Sequence, residues 1–165
     1  MIRDERPADW EAIDRVNRAA FGGEEEARIV RRLREDGLAA VSLVAEDTGA
    51  VVGHLMLSWL PTRVDGRDIR ALALAPMAVL PGHQRRGIGS RLVTAGIAAA
   101  RRIGAEAIIV VGHPEYYPRF GFSAAAAAHL SAPFSGAAFM ALEIVPDALV
   151  GTAGSVDYPA AFGLG

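Results

Sequence analysis

Apolar positions recur along this chain with changing period, and each change marks the border of an element. Trp10, Ile13, Val16 and Ala20 fall near helical spacing, with Pro7 suited to a first turn and Asp9 and Glu11 close behind it. "FGG" at 21–23 ends that helix. A second helix is expected from about Glu24 to Asp36, where Ile29, Val30 and Leu33 share one side opposite Arg28, Arg31, Arg32 and Arg34. Glu24, Glu25 and Glu26 suit its positive N-terminal pole, and Gly37 its stop. The pattern then turns β-rich: "VSLVAE" (41–46) and "VVGHLMLSWL" (51–60) flank the turn signal "DTGA", and "VDGRD" leads into "IRALALAPMAVL" (69–80). Three strands in a meander account for residues 41–80. Helical spacing returns with Ile88, Leu92, Ala95, Ala99 and Ile103, closed by Gly104 after Arg101 and Arg102. "AIIVV" at 107–111 is a short continuous apolar run, as expected of a buried strand reached by a helical crossover. Beyond it, "SAAAAAHL" (123–130) carries helix-forming alanines among turn formers, and "FMALEIVP" (139–146) reads as a further strand.

Length and composition narrow the class. The 165 residues fit one domain, 1–165, with no linker or composition shift to divide it. At 52% hydrophobic and 22% charged, the chain is globular rather than disordered. A formal charge of -2 argues against a broad nucleic-acid footprint, and no stretch approaches a membrane span of roughly 20 apolar residues. All 17 basic residues are arginine, so Schiff-base and P-loop lysine chemistry are excluded; without cysteine there are no disulfides, thiolate nucleophiles or zinc-cysteine sites. "MIRDERPADW" alternates in charge where a secretory signal needs an apolar run, which makes the cytoplasm the default location.

Against this background "PGHQRRGIGSRLV" (81–93) stands out. Arg85 and Arg86 sit where a helix begins, although cations there are unfavourable by roughly 0.3–1 kcal/mol each. A strand, a glycine loop and a helix start direct backbone N–H groups at one point, which suits phosphate. A Walker loop needs Lys-Ser/Thr after its second glycine, and here Gly82-x-x-x-x-Gly87 is followed by Ile88-Gly89. A dinucleotide fingerprint needs a third small residue, and Gly87-x-Gly89-x-x ends on Leu92. The remaining scheme, Gln/Arg-x-x-Gly-x-Gly/Ala, is met by Gln84-Arg85-Arg86-Gly87-Ile88-Gly89. Two features accompany it. Pro76 cannot donate to a ladder, so a central strand there must bulge or lose pairing; and "YYPRFGF" (116–122) spaces Tyr117 four residues before Gly121-Phe122.

Together the loop, the strand proline and the tyrosine segment resemble the GNAT superfamily of N-acetyltransferases, over roughly residues 2–122. "GHPEYYPRFGF" looks like its bacterial branch of acetyltransferases. The resemblance implies an α/β (α+β) fold with a mixed central sheet, splayed between the fourth and fifth strands and flanked by helices. It implies acetyl-CoA as co-substrate, its pyrophosphate held by Gln84, Arg85, Arg86, Gly87, Ile88, Gly89 and Ser90, mainly through backbone amides. The pantetheine arm falls to the main chain of Met77, Ala78 and Val79, and Tyr117 becomes the catalytic acid; no metal is implied. The acceptor is a primary amine on a small molecule, peptide or protein.

The resemblance leaves the base open. "IRALALAPMAV" has no carboxylate where many members place a glutamate. Glu24, Glu25 and Glu26 are candidates that also read as surface charges; His54 on a strand or His113 just after one could accept a proton through water. His83 reads as exposed. The missing carboxylate keeps a non-catalytic acyl-CoA-binding or sensing module as the alternative, with an unrelated nucleotide-binding protein behind it. An open sheet also leaves an exposed edge, for which homodimerisation is one remedy.

Overall fold

Two tight turns set the meander. In the computed structural model, which describes residues 1–164, Thr48 and Gly49 have φ of 50° and 81°, and Asp65 and Gly66 have 49° and 81°. Positive φ at both central residues is the hairpin turn whose twist matches the flanking strands. The first joins β2 (Ala39–Asp47) to β3 (Ala50–Val64), and the second joins β3 to β4 (Arg67–Val79). The Asp65 carboxylate accepts the N–H groups of Thr152 and Ala153, bonds that hold it below its ordinary pKa.

The chain begins with β1 (Ile2–Asp4), continues through α1 (Trp10–Phe21) and α2 (Glu25–Glu35), and follows the meander with α3 (Ile88–Arg102) and β5 (Ala107–Val111). The remainder is α4 (Ala124–Ala127), β6 (Leu130–Ser131), β7 (Phe139–Glu143) and β8 (Gly154–Val156). Strands neighbour one another in the order β1-β2-β3-β4-β5-β7, with β8 on the end of β3 and β6 on β8. No helix among the described residues is long and apolar enough to cross a membrane. The mixed sheet with flanking helices is the expected architecture. The N-terminal strand was not legible: three residues, two of them charged, carry no period, and such a strand is typical of a sheet edge.

The chain groups into two compact units, and β3 and β4 run through both. In the first, residues Met1–Ser58 and Ala75–Ala99, β1 pairs antiparallel with β2 and β2 with β3. Every residue of β3 from Val51 to Leu57 is buried, so this stretch of the strand shows no alternation. α1 ends on Gly22 in the left-handed region, its N–H on the Arg18 carbonyl. In α2, Ala27, Val30 and Leu33 are the buried positions. α3 lies close over β3 because two glycines omit a side chain. A Cβ on Gly53 would stand 3.1 Å from Leu92 Cδ1 and 3.2 Å from Ile88 Cγ2, and one on Gly96 3.0 Å from Leu55 Cδ2.

In the second unit, Trp59–Leu74 and the residues from Ala100 onward, β4 pairs parallel with β5 over Ala71–Ala73 and Ala107–Ile109. That ladder stops after three pairs although both strands continue. β7 pairs antiparallel with β5 along its whole length, and it ends at Glu143 rather than running on through "IVP". Of the alanine run only Ala124–Ala127 is helical, capped by the Ser123 hydroxyl, which accepts the Ala126 N–H at 3.1 Å.

Candidate functional site

The glycine loop is wound before it becomes a helix. β4 carries Pro76, Met77, Ala78 and Val79 to its end, and the chain then makes a single turn at Pro81–His83. Gln84 is extended (φ -71°, ψ 159°), and Arg85 takes φ 65°, a left-handed conformation that a non-glycine residue enters at a cost of about 1–2 kcal/mol. Gly87 follows with φ 79° and open space where its side chain would be. The Gly87 carbonyl accepts the Arg91 N–H at 3.1 Å, so α3 is wound from this glycine. Ile88, Gly89 and Ser90 form its first turn, the part of any helix whose N–H groups lack intrahelical acceptors and carry partial positive charge.

Gln84 does something that the motif did not suggest. Its Nε2 donates to the Val79 carbonyl at 3.0 Å, tying the loop back to the strand it leaves. The Leu80 N–H is spent on the Val52 carbonyl at 2.9 Å. The loop and the Met77–Val79 strand end are thus one braced piece. Ala78 and Val79 are buried, Met77 half-buried, and Arg85 and Arg86 exposed. Arg86 and Arg91 line a cavity of about 430 Å³ with Ala45, Glu46, Asp47 and Ile88. His83, expected to be exposed, is half-buried, with Nε2 3.4 Å from Asp47 Oδ2 and Nδ1 out of solvent and unpartnered.

Tyr117 belongs to the second unit and opens the short helix Tyr117–Phe120. Its ring is 7% exposed, edge-on to Tyr116 (centroids 5.1 Å, 85°) and to Phe122 (5.7 Å, 72°). Gly121 closes the helix with φ 100°, its N–H on the Pro118 carbonyl. Burial pushes the Tyr117 phenol up to about 12, with the neighbouring Tyr116 adding to it. At neutral pH the hydroxyl therefore keeps its proton and can donate it. Against one edge of the ring lies Gly112, to which sequence reasoning gave no role; its one signal was a glycine directly after an apolar strand.

The base candidates separate clearly. Glu24 is exposed and held by the Arg18 guanidinium at 2.7 Å, the main cause lowering its pKa. Glu25 and Glu26 stand in the first turn of α2. His113 is exposed, and its carbonyl accepts the N–H groups of Tyr116 and Tyr117 at 3.1 and 3.4 Å. His54 is wholly buried in a polar chain within the first unit. Asn17 Nδ2 donates to the Ile13 carbonyl at 3.0 Å and reaches His54 Nδ1 at 3.3 Å. Since the amide nitrogen must face the carbonyl, Nδ1 is an acceptor and the imidazole proton sits on Nε2. Nε2 is 2.9 Å from Ser42 Oγ, which in turn donates to Glu5, and Glu5 pairs with Arg34 at 2.9 and 3.0 Å. Burial drives His54 down to about 3, outweighing the opposing pull of Glu5, so the imidazole stays neutral and committed to its neighbours.

A family model described as an acetyltransferase (GNAT) domain matches residues 1–125. The chain is 37% identical over 161 residues to the uncharacterized N-acetyltransferase YhbS of Escherichia coli (strain K12), covering 96% of this chain and 95% of that one. The crystal structure of E. coli YhbS in complex with CoA superposes with a TM-score of 0.89 at 36% identity, over 99% of this chain and 92% of the other. A GNAT family acetyltransferase from Brucella melitensis, in complex with acetyl-CoA, gives 0.80 at 36% identity, over 98% and 97%.

Proposed function

The chain belongs to the GNAT acetyltransferase family, and from that premise we propose that it transfers the acetyl group of acetyl-CoA to a primary amine. The observation that carries this reading is the left-handed turn at Arg85 and Gly87 launching α3, braced by Gln84 on Val79. The two relatives crystallised with CoA and acetyl-CoA support the coenzyme. Their coverage of nearly the whole chain supports treating residues 1–165 as one acetyltransferase domain.

In the proposed complex the backbone amides from Arg85 to Ser90 hold the pyrophosphate, and the main chain of Met77–Val79 pairs with the pantetheine arm. The neutral amine attacks the thioester carbonyl carbon, forming a C–N bond and a tetrahedral oxyanion, which a backbone N–H near Met77 or Val79 stabilises. The C–S bond then breaks, and the departing sulfur takes the Tyr117 proton. The nitrogen releases its proton to water, from which the phenolate is reprotonated. No carboxylate stands on β4 between Ile69 and Val79, and His54 is already committed, so water is the acceptor this reading uses.

Calorimetry with acetyl-CoA, ATP and NAD, followed by thiol release across a panel of amines, tests it. Selective acetyl-CoA binding with amine-dependent thiol release is expected. Absence of acetyl-CoA binding would sink the reading, and binding without turnover on any amine favours a non-catalytic acyl-CoA-binding module.

A further inference from the structure

Gly112 lies directly against the Tyr117 ring. A Cβ at Gly112 would fall 2.4 Å from Tyr117 Cε2, 3.0 Å from Cδ2 and 3.4 Å from Cζ. These are atoms of a ring edge; turning the ring about its long axis would clear them without moving the hydroxyl, but the edge-on packing of Tyr116 and Phe122 opposes that rotation, so the ring gives way by shifting bodily and carrying the hydroxyl with it. Backbone conformation does not explain the glycine, because Gly112 does not have a positive φ, whereas nearby Gly121, at 100°, does. What Gly112 contributes is the missing side chain.

Neither partner can yield easily. β5 is paired with β7 up to Val111 and Phe139, and the Gly112 N–H continues that hold by donating to the Ala138 carbonyl at 2.9 Å. On the other side, Tyr116 and the buried Phe122 wall the ring, and the His113 carbonyl takes the Tyr117 N–H. A methyl group at 112 therefore meets an anchored strand end and a walled ring.

We propose that Gly112 is a positioning residue, whose bare Cα lets the Tyr117 ring settle so that its hydroxyl stands where the departing sulfur takes a proton. The inference rests on reading Tyr117 as the acid. Gly112 acts only through that ring and leaves coenzyme binding to the loop and β4.

The experiment uses the full chain labelled with [13Cζ]tyrosine, as wild type, Gly112→Ala, Tyr117→Phe and the double variant. The chain has three tyrosines, and Tyr117→Phe assigns the Tyr117 resonance. In Gly112→Ala that resonance moves, kcat falls about a hundredfold, as a misplacement of about 1 Å produces, and acetyl-CoA affinity is unchanged. On the Tyr117→Phe background Gly112→Ala costs little more, because both changes act through one hydroxyl. An unmoved resonance with wild-type kcat overturns the inference. So does a loss that persists in full on the Tyr117→Phe background. If Gly112→Ala does not fold alone, recovery of folded, acetyl-CoA-binding protein by Gly112→Ala/Tyr117→Ala supports the ring contact, and failure to recover overturns it. Full-speed Tyr117→Phe is a different result: it removes the acid reading and the catalytic half of this inference, while the resonance separately decides the seat.

Discussion

At His54 a single buried side chain sets a pH dependence whose sign follows from its surroundings. An unfolded chain binds a proton there below pH 6.5, whereas the folded chain, with the imidazole held down to about 3, does not. Between these values the unfolded state carries more protons, so stability is lost as pH falls through that window, by at most about 1.4 kcal/mol per pH unit from this residue. Urea unfolding followed from pH 7.5 to pH 4.5 should show the loss, and His54→Gln should flatten it while lowering stability at pH 7.5. A slope equally steep in the variant would show that another group carries the effect. Glu5 belongs to the same chain: burial pushes its carboxyl up, but the hydrogen bonds from Arg34 and Ser42 outweigh that and lower it. None of this was readable residue by residue. A histidine in a β-rich run suits a core position or a proton acceptor equally, and the choice fell to Asn17, Ser42 and Glu5, which lie 37, 12 and 49 positions away in the chain.

At the scale of elements, the loop separates conformation from charge. Gly87 has φ 79° and room around it, so valine there costs strain of about 1–2 kcal/mol and disturbs the loop amides proposed to hold the pyrophosphate. The Arg86 side chain is exposed, and replacing it with alanine removes its charge while leaving the backbone N–H in place. Gly87→Val should therefore weaken acetyl-CoA binding, measured by calorimetry, more than Arg86→Ala does; the reverse ranking would assign the grip to the guanidinium. The elements that sequence reasoning located most closely were those with unmixed local signals: β5 at 107–111, α3 from Ile88, and the two hairpin turns. Less legible were β1, the true extent of α4, and the short strands β6 and β8. Gly154 of β8 pairs with Val64 and with Leu130, so its extended state depends on partners 90 and 24 residues away rather than on a pattern of its own.

For the molecule as a whole, the absence of a carboxylate on β4 between Ile69 and Val79 makes the acceptor's own acidity the variable that matters in the proposed reaction. An alkylammonium of pKa about 10.4 costs about 4.6 kcal/mol to deprotonate at pH 7, and an α-ammonium of pKa about 8 costs about 1.4 kcal/mol. Without a protein base, kcat/KM for a simple alkylamine should rise about tenfold per pH unit from pH 7 to pH 9, because only the neutral fraction attacks. A flat profile over that range would reveal a base within the protein. The helices α1 to α3, the strands β2 to β5 and β7, the hairpin turns, the glycine loop and the exclusion of lysine and cysteine chemistry were determined by sequence alone. Each depends on residue identity and on spacing within one or two turns of chain. Tertiary structure alone decided that Gln84 braces Val79, that His54 is neutral and enclosed, that Gly53 and Gly96 seat α3, and that Tyr117 rests on Gly112. Those contacts depend on where the folded backbone places side chains beyond their own element. Local periodicity reports which face of an element is buried, but not which atoms it meets there.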